Sequence, residues 1–138
     1  MENYNLEKDI KVFCIAAKSF PDGVLEAHQS LHSLVPYSPD RKYFGISRPE
    51  KGVIVYKSAS EELEEGEFSK HGLEEFKIKK GKYISIVIKD FMKNIPAIGK
   101  AFKELTSLKE IDPNGYCIEL YQNDDELRCM VKLDENKN

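Results

Sequence analysis

The feature that most constrains the fold of this chain is an order of elements that occurs twice. From near Ile10, and again from near Tyr83, the sequence reads strand, helix, strand, strand, with one additional strand between the two runs. The halves share little residue identity, so the repeat is one of pattern. In the first half, Asp9 to Lys18 is almost continuously apolar in its middle, as a strand covered on both faces would be. Phe20-Pro21-Asp22-Gly23 then turns the chain into a helix over 24–35. Val24, Ala27, His28, Leu31, Leu34 and Val35 fall on one side of its wheel, and Pro36 ends it. Residues 37–41 carry turn formers and read as loop. Lys42 to Ser47 and Val53 to Ala59 follow as an antiparallel hairpin joined across 48–52.

The additional strand is Glu74 to Ile78. In the second half, Ile84, Ile86 and Ile88 alternate with Tyr83, Ser85 and Val87 along a strand at 82–89. Asn94 is positioned as a cap and Pro96 sits in the first turn of a helix reaching about Leu108. Its apolar stripe is Ile95, Ile98, Ala101, Phe102, Leu105 and Leu108. Asp112-Pro113-Asn114-Gly115 is a strong turn, a strand runs on to Tyr121, and Asn123-Asp124-Asp125 closes a last hairpin into Leu127 to Leu133. The predicted fold class is α+β: duplicated strand-helix-strand-strand units with an antiparallel sheet and two helices on one face. The chain is read as a single domain over 1–138 with its core at about 10–133, and a cleft is expected on the opposite face or at the junction of the repeats.

Composition excludes several functions. With 138 residues, 41% hydrophobic and 33% charged, the chain can bury a core without staples and contains no apolar run long enough for a membrane span. Its N-terminus has neither the basic nor the apolar segment of a secretory leader, so a cytoplasmic location is expected. Net charge is −3 and the basic residues are scattered, which argues against direct nucleic-acid binding. Cys14, Cys117 and Cys129 lie in apolar runs without metal or redox spacing and read as buried hydrophobes. Five glutamates between Glu61 and Glu67 read as a solvated segment, although a basic partner would also fit them.

The residue with chemistry to offer is Glu119. On its strand it shares a face with Cys117 and Tyr121, while Tyr116, Ile118 and Leu120 share the other. A strand glutamate commonly lies on a solvated face; the alternative is a charged floor in an aromatic-lined pocket. His28 and His32 are spaced as two metal ligands on one helix face would be, but they fall on and beside the apolar stripe, and His71 is remote. No metal or other cofactor is expected. None of the cysteines has an evident activating base, and no phosphate-cradling glycine loop is present.

Taken together, the two-unit order, Tyr43-Phe44-Gly45-Ile46 followed by Gly52-Val53-Ile54-Val55-Tyr56, the Gly81-Lys82-Tyr83 strand opening, the Pro96 helix and the Glu119-x-Tyr121 motif resemble a known family. It is the GyrI-like small-molecule-binding domain, the effector-binding domain of AraC-type and MerR-type bacterial transcription activators. The resemblance runs from about Ile10 to Leu133. It implies a pocket at the junction of the repeats, with a buried glutamate facing cationic, lipophilic compounds. By position that glutamate is Glu119, and Tyr121, Tyr83, Tyr56, Tyr43 and Phe44 are the wall residues. The chain departs from the family in having no tryptophan and no DNA-binding domain.

The function expected on this basis is a stand-alone sensor or sequestering protein for cationic or amphipathic compounds, working with a regulatory protein partner and not acting as an enzyme. One alternative is a small-molecule hydrolase of the same fold with Glu119 as general base and Tyr121 or Tyr83 as proton donor. A third is a protein-binding factor resembling gyrase inhibitors.

Overall fold

The computed structural model describes residues 1–123 and 125–135. The central residue of the turn expected at 123–125 therefore lies outside the described residues. The chain divides into two compact units, one of residues 9–78 and one of residues 1–8 with 79–138. Both combine antiparallel strands with one helix, so the protein is α+β as its sequence indicates. Among the described residues, no helix is long and apolar enough to cross a membrane.

In the unit of residues 9–78, the elements are β2 (Ile10–Ala16), α1 (Val24–Leu34), β3 (Tyr43–Glu50), β4 (Val53–Glu61) and β5 (Glu74–Ile78); β1 (Glu2–Leu6) precedes them and belongs to the other unit. The strands pair in the order β3-β4-β2-β5, all antiparallel. The β3–β4 hairpin is longer than the sequence reading allowed. Arg48, Pro49 and Glu50 continue the ladder, and only Lys51 and Gly52 form the turn, at φ 54° and 82°. Two successive left-handed residues match the right-handed twist of a hairpin, and glycine adopts that backbone without strain.

The register places Phe13 and Ile15 of β2, Tyr56, Ser58 and Ser60 of β4, and Tyr43 of β3 on one face. His28 of α1 bonds to Tyr56 and Ser58, so this is the face on which the helix lies. Val12, Cys14, Phe44, Ile46 and Ala59 occupy the other face and are all buried. The acidic segment after β4 is put to internal use. Glu67 pairs with Arg41 and accepts the Leu63 amide at 2.6 Å, Glu62 pairs with Lys11 at 3.6 Å, and Glu61 accepts the Lys42 amide at 3.1 Å.

The other unit contains β1 with β6 (Gly81–Lys89), α2 (Pro96–Thr106), β7 (Cys117–Tyr121) and β8 (Glu126–Lys132), paired in the order β1-β6-β8-β7. β1 carries no apolar alternation and was not expected from the sequence. Arg128 holds it in place by reaching Glu2 at 2.6 Å and Ser85 at 2.8 Å while lying over the Tyr4 ring. Pro96 occupies the first turn of α2, but Asn94 supplies its carbonyl to the Ala97 amide instead of capping with its side chain. Ala101 and Leu105 of α2 pack on Ile88, Leu127, Cys129 and Val131, with Phe91 closing the end of this core. Leu105 and Leu127 are fully buried, and each such side chain is worth about 2 kcal/mol of apolar burial. Ile95, expected in the stripe, is half exposed because the chain is only entering the helix there.

Candidate functional site

The Asp112 side chain accepts the Asn114 amide at 2.9 Å and its carbonyl accepts the Gly115 amide at 3.1 Å, a tight turn that delivers the chain into β7. Glu119 stands directly across from Cys129 on β8, which in turn faces Ile86 on β6. Since cross-strand partners point to the same side, Cys117, Glu119 and Tyr121 share the α2 face with that unit's core. Glu119 is half-buried there, on the helix-bearing side and not on the opposite one. The Tyr121 hydroxyl donates to Glu119 Oε1 at 2.8 Å. The Phe91 ring meets Tyr121 edge-on, with centroids 5.6 Å apart and planes at 62°.

The thiols around Glu119 are held protonated. Burial, reinforced by the Glu119 charge, pushes Cys117 up to about 11 and Cys129 up to about 12. The residue is thus an acid set among neutral thiols and a phenol. A carboxylate in such surroundings attracts a cation more strongly than one in open water. Tyr83 takes no part in this arrangement: it lies on the opposite face of β6, fully buried, with its hydroxyl donating to the Lys79 carbonyl at 2.6 Å.

In the other unit, Tyr43 and Tyr56 share the α1 face while Phe44 is buried on the reverse side. Tyr43 and Tyr56 belong to a longer run of ring contacts. Phe20 stacks on Tyr56 at 5.9 Å, Tyr56 meets His28 edge-on at 5.8 Å, and His28 lies 6.2 Å from His32. His32 in turn packs on Tyr43 at 4.9 Å, and Tyr43 stacks on Tyr37 at 5.5 Å. The ends of the run, Phe20 and Tyr37, are exposed at 47% and 66%, so the wall opens to solvent at both ends.

Hydroxyls fix the centre of the wall. Ser58 Oγ lies 2.6 Å from His28 Nδ1 and the Tyr56 hydroxyl 2.9 Å from Nε2. A neutral imidazole donates through one nitrogen and accepts through the other, which suits two hydroxyl neighbours. Burial, and secondarily the nearby His32, lower His28 to about 4, and burial also lowers His32. Gly23 sets the loop that carries Phe20: a Cβ there would come within 2.8 Å of the Ser19 carbonyl oxygen, so only glycine permits this close turn.

Of the residues expected to line a pocket, Glu119 and Tyr121 share one face in their unit and Tyr43 and Tyr56 share one face in theirs; the rings that adjoin them, Phe91, Phe20, Tyr37, His28 and His32, were not expected there. The signal was present in the i, i+4 spacing of His28 and His32 on an apolar stripe. Both nitrogens of His28 meet hydroxyls, and among the described residues no group of three or more His, Cys, Asp or Glu side chains could hold a metal ion.

No family model matches the chain, and no curated protein matches it in sequence. Solved structures share its fold. SAV2435 bound to tetraphenylphosphonium is similar with a TM-score of 0.66 at 10% identity, over 99% of this chain and 96% of that one. An integron cassette protein from the mobile metagenome of Vibrio cholerae is similar with a TM-score of 0.64 at 9% identity, over 96% of this chain and 95% of that one. A hydrolase from Listeria innocua is similar with a TM-score of 0.59 at 10% identity, over 96% of this chain and 90% of that one.

Proposed function

We propose that this protein reversibly binds small lipophilic organic cations as a sensor or sequestering protein. Glu119 supplies the charge, and the Tyr121 and Phe91 rings beside it supply aromatic contact. The observation that carries this reading is the half-buried Glu119 carboxylate, held by Tyr121 among protonated thiols on the α2 face. Such a carboxylate gains from a cationic neighbour, and uncharged rings add cation–π and apolar contact without demanding one ligand shape. The tetraphenylphosphonium bound by SAV2435, a protein of the same fold, is a ligand of this chemical class. The resemblance to effector-binding domains of transcription activators agrees with it, and a regulatory protein partner would read the bound state.

The Listeria innocua hydrolase of similar fold supports a second reading, in which Glu119 activates water and Tyr121 donates a proton. Rhodamine 6G, a lipophilic cation that is also an ester, separates the two. Equilibrium dialysis against the protein is expected to retain the dye, and mass spectrometry is expected to recover it intact. Recovery as the free acid at a rate that depends on the protein would favour the hydrolase, and failure to retain the dye would contradict binding.

A further inference from the structure

β5 ends the ladder of its unit: its backbone pairs with β2 and, among the described residues, with no second strand. The outward-facing amides and carbonyls of such a strand are a template on which another strand can add. Of its residues, Glu74, Glu75 and Lys77 are exposed, Phe76 is half-buried and Ile78 is buried. α1 lies over β4 and β2, so β5 stands beside the helix and not beneath it.

The charges on this strand are not balanced within the chain. The register sets Lys77 directly opposite Lys11 of β2, and like charges facing each other across a ladder are destabilising. Lys11 is answered by Glu62 and Glu75, at 3.6 and 3.5 Å, and Glu74 is answered by Lys57 at 2.7 Å. Lys77 has no carboxylate within ion-pair distance among the described residues. The Glu75 side chain remains 58% exposed, which leaves it open to a second cation.

We infer that β5 is a self-association edge, at which two copies of this chain pair antiparallel about Phe76 and Lys77 of each copy faces Glu75 of the other. A two-fold axis perpendicular to the sheet keeps the faces of the two copies aligned, so each residue must meet one that points to the same side. Centring the pair on Glu75 would oppose two carboxylates, and centring it on Lys77 would oppose two ammonium groups. Centring it on Phe76 does neither. It sets Glu75 against Lys77 on both sides of the axis, on the α1 face that Phe13 and Lys11 mark, and it pairs Phe76 with Phe76 and Glu74 with Ile78 on the other. All 5 residues of the strand are then used. A ladder this short buries little area, so the association is weak and, being steered by exposed charges, sensitive to salt. The inference does not depend on the binding reading above.

The test is sedimentation equilibrium on the native chain, Lys77→Glu and the double variant Glu75→Lys with Lys77→Glu, at low and high salt, with melting followed by circular dichroism. The native chain is expected to dimerise as its concentration rises in low salt and to dissociate in high salt. Lys77→Glu opposes glutamates on both sides of the axis and is expected to weaken the dimer by about tenfold or more. It is expected to melt no lower than the native chain in high salt, because the new carboxylate stands opposite Lys11. The double variant exchanges the two charges, restores opposite-charge pairs between copies and is expected to regain most of the native affinity. A native chain that stays monomeric at every concentration, a dimer indifferent to Lys77→Glu, or a folded double variant that does not recover would each overturn the inference.

Discussion

The Tyr121 hydroxyl donates to Glu119 Oε1 at 2.8 Å, between residues two apart on β7 whose side chains share the α2 face. Phe91 sits edge-on against the same tyrosine, so the ring that orients the carboxylate is itself held by the core. Tyr121→Phe keeps that packing and removes only the hydroxyl. The expected result is a roughly fivefold weaker affinity for a lipophilic cation, the worth of one ordinary hydrogen bond, with a neutral analogue unaffected in the same fluorescence titration.

His28 bridges two buried hydroxyls from β4 to α1. His28→Phe preserves an aromatic ring but leaves the fully buried Ser58 without its imidazole partner. Urea unfolding is expected to show a loss of about 1–3 kcal/mol, the cost of stranding a buried polar group. His28→Gln, which can still hydrogen-bond, is expected to lose less.

These two relationships were unequally legible in the sequence. The period of two along β7 placed Cys117, Glu119 and Tyr121 on one face, and strand geometry alone sufficed for that. Whether Tyr83 shares their side of the sheet could not be read, because that depends on the register of β6 against β8, which sets Tyr83 opposite Lys132 and away from the α2 face. Phe44 needed no register: adjacent to Tyr43 on one strand, it necessarily points the other way, so the two could not line the same face. His28 and His32 were visible as a pair but not as members of an aromatic run, since Tyr37, Tyr43 and Tyr56 reach them only through tertiary packing. β1 escaped notice because its stability comes from the Arg128 clasp and the β6 ladder, neither of which leaves a local hydrophobic pattern.

Stability in acid should follow the Arg41–Glu67 pair. Its hydrogen bonds with Arg41 lower Glu67 to about 2, assisted by the Leu63 and Glu64 amides. A carboxyl depressed by folding stabilises the native state fully above its unfolded value, near 4.5, and the contribution disappears as pH falls toward 2. The expected contribution is on the order of 1–3 kcal/mol, reduced by the partial exposure of the pair. Denaturant midpoints measured from pH 6 to pH 2 should fall more steeply for the native chain than for Glu67→Gln, which should be less stable at neutral pH.

Cys117 offers an independent reading of the Glu119 charge. With its thiol pushed up to about 11 by burial and by Glu119, it should react with Ellman's reagent at pH 8 roughly a hundredfold more slowly than a free cysteine. Glu119→Gln removes one of the two causes and is expected to accelerate that reaction. An unchanged rate would mean that burial alone protects the thiol.

The central claim is that Glu119 selects for positive charge. Fluorescence anisotropy with a planar lipophilic cation and its neutral analogue, on the native protein and on Glu119→Gln, addresses it most directly. The substitution should weaken the cation by at least about tenfold while changing the neutral compound little, as expected when a carboxylate is the partner lost. Equal effects on both compounds, or none on the cation, would contradict the claim and leave Glu119 an ordinary strand residue.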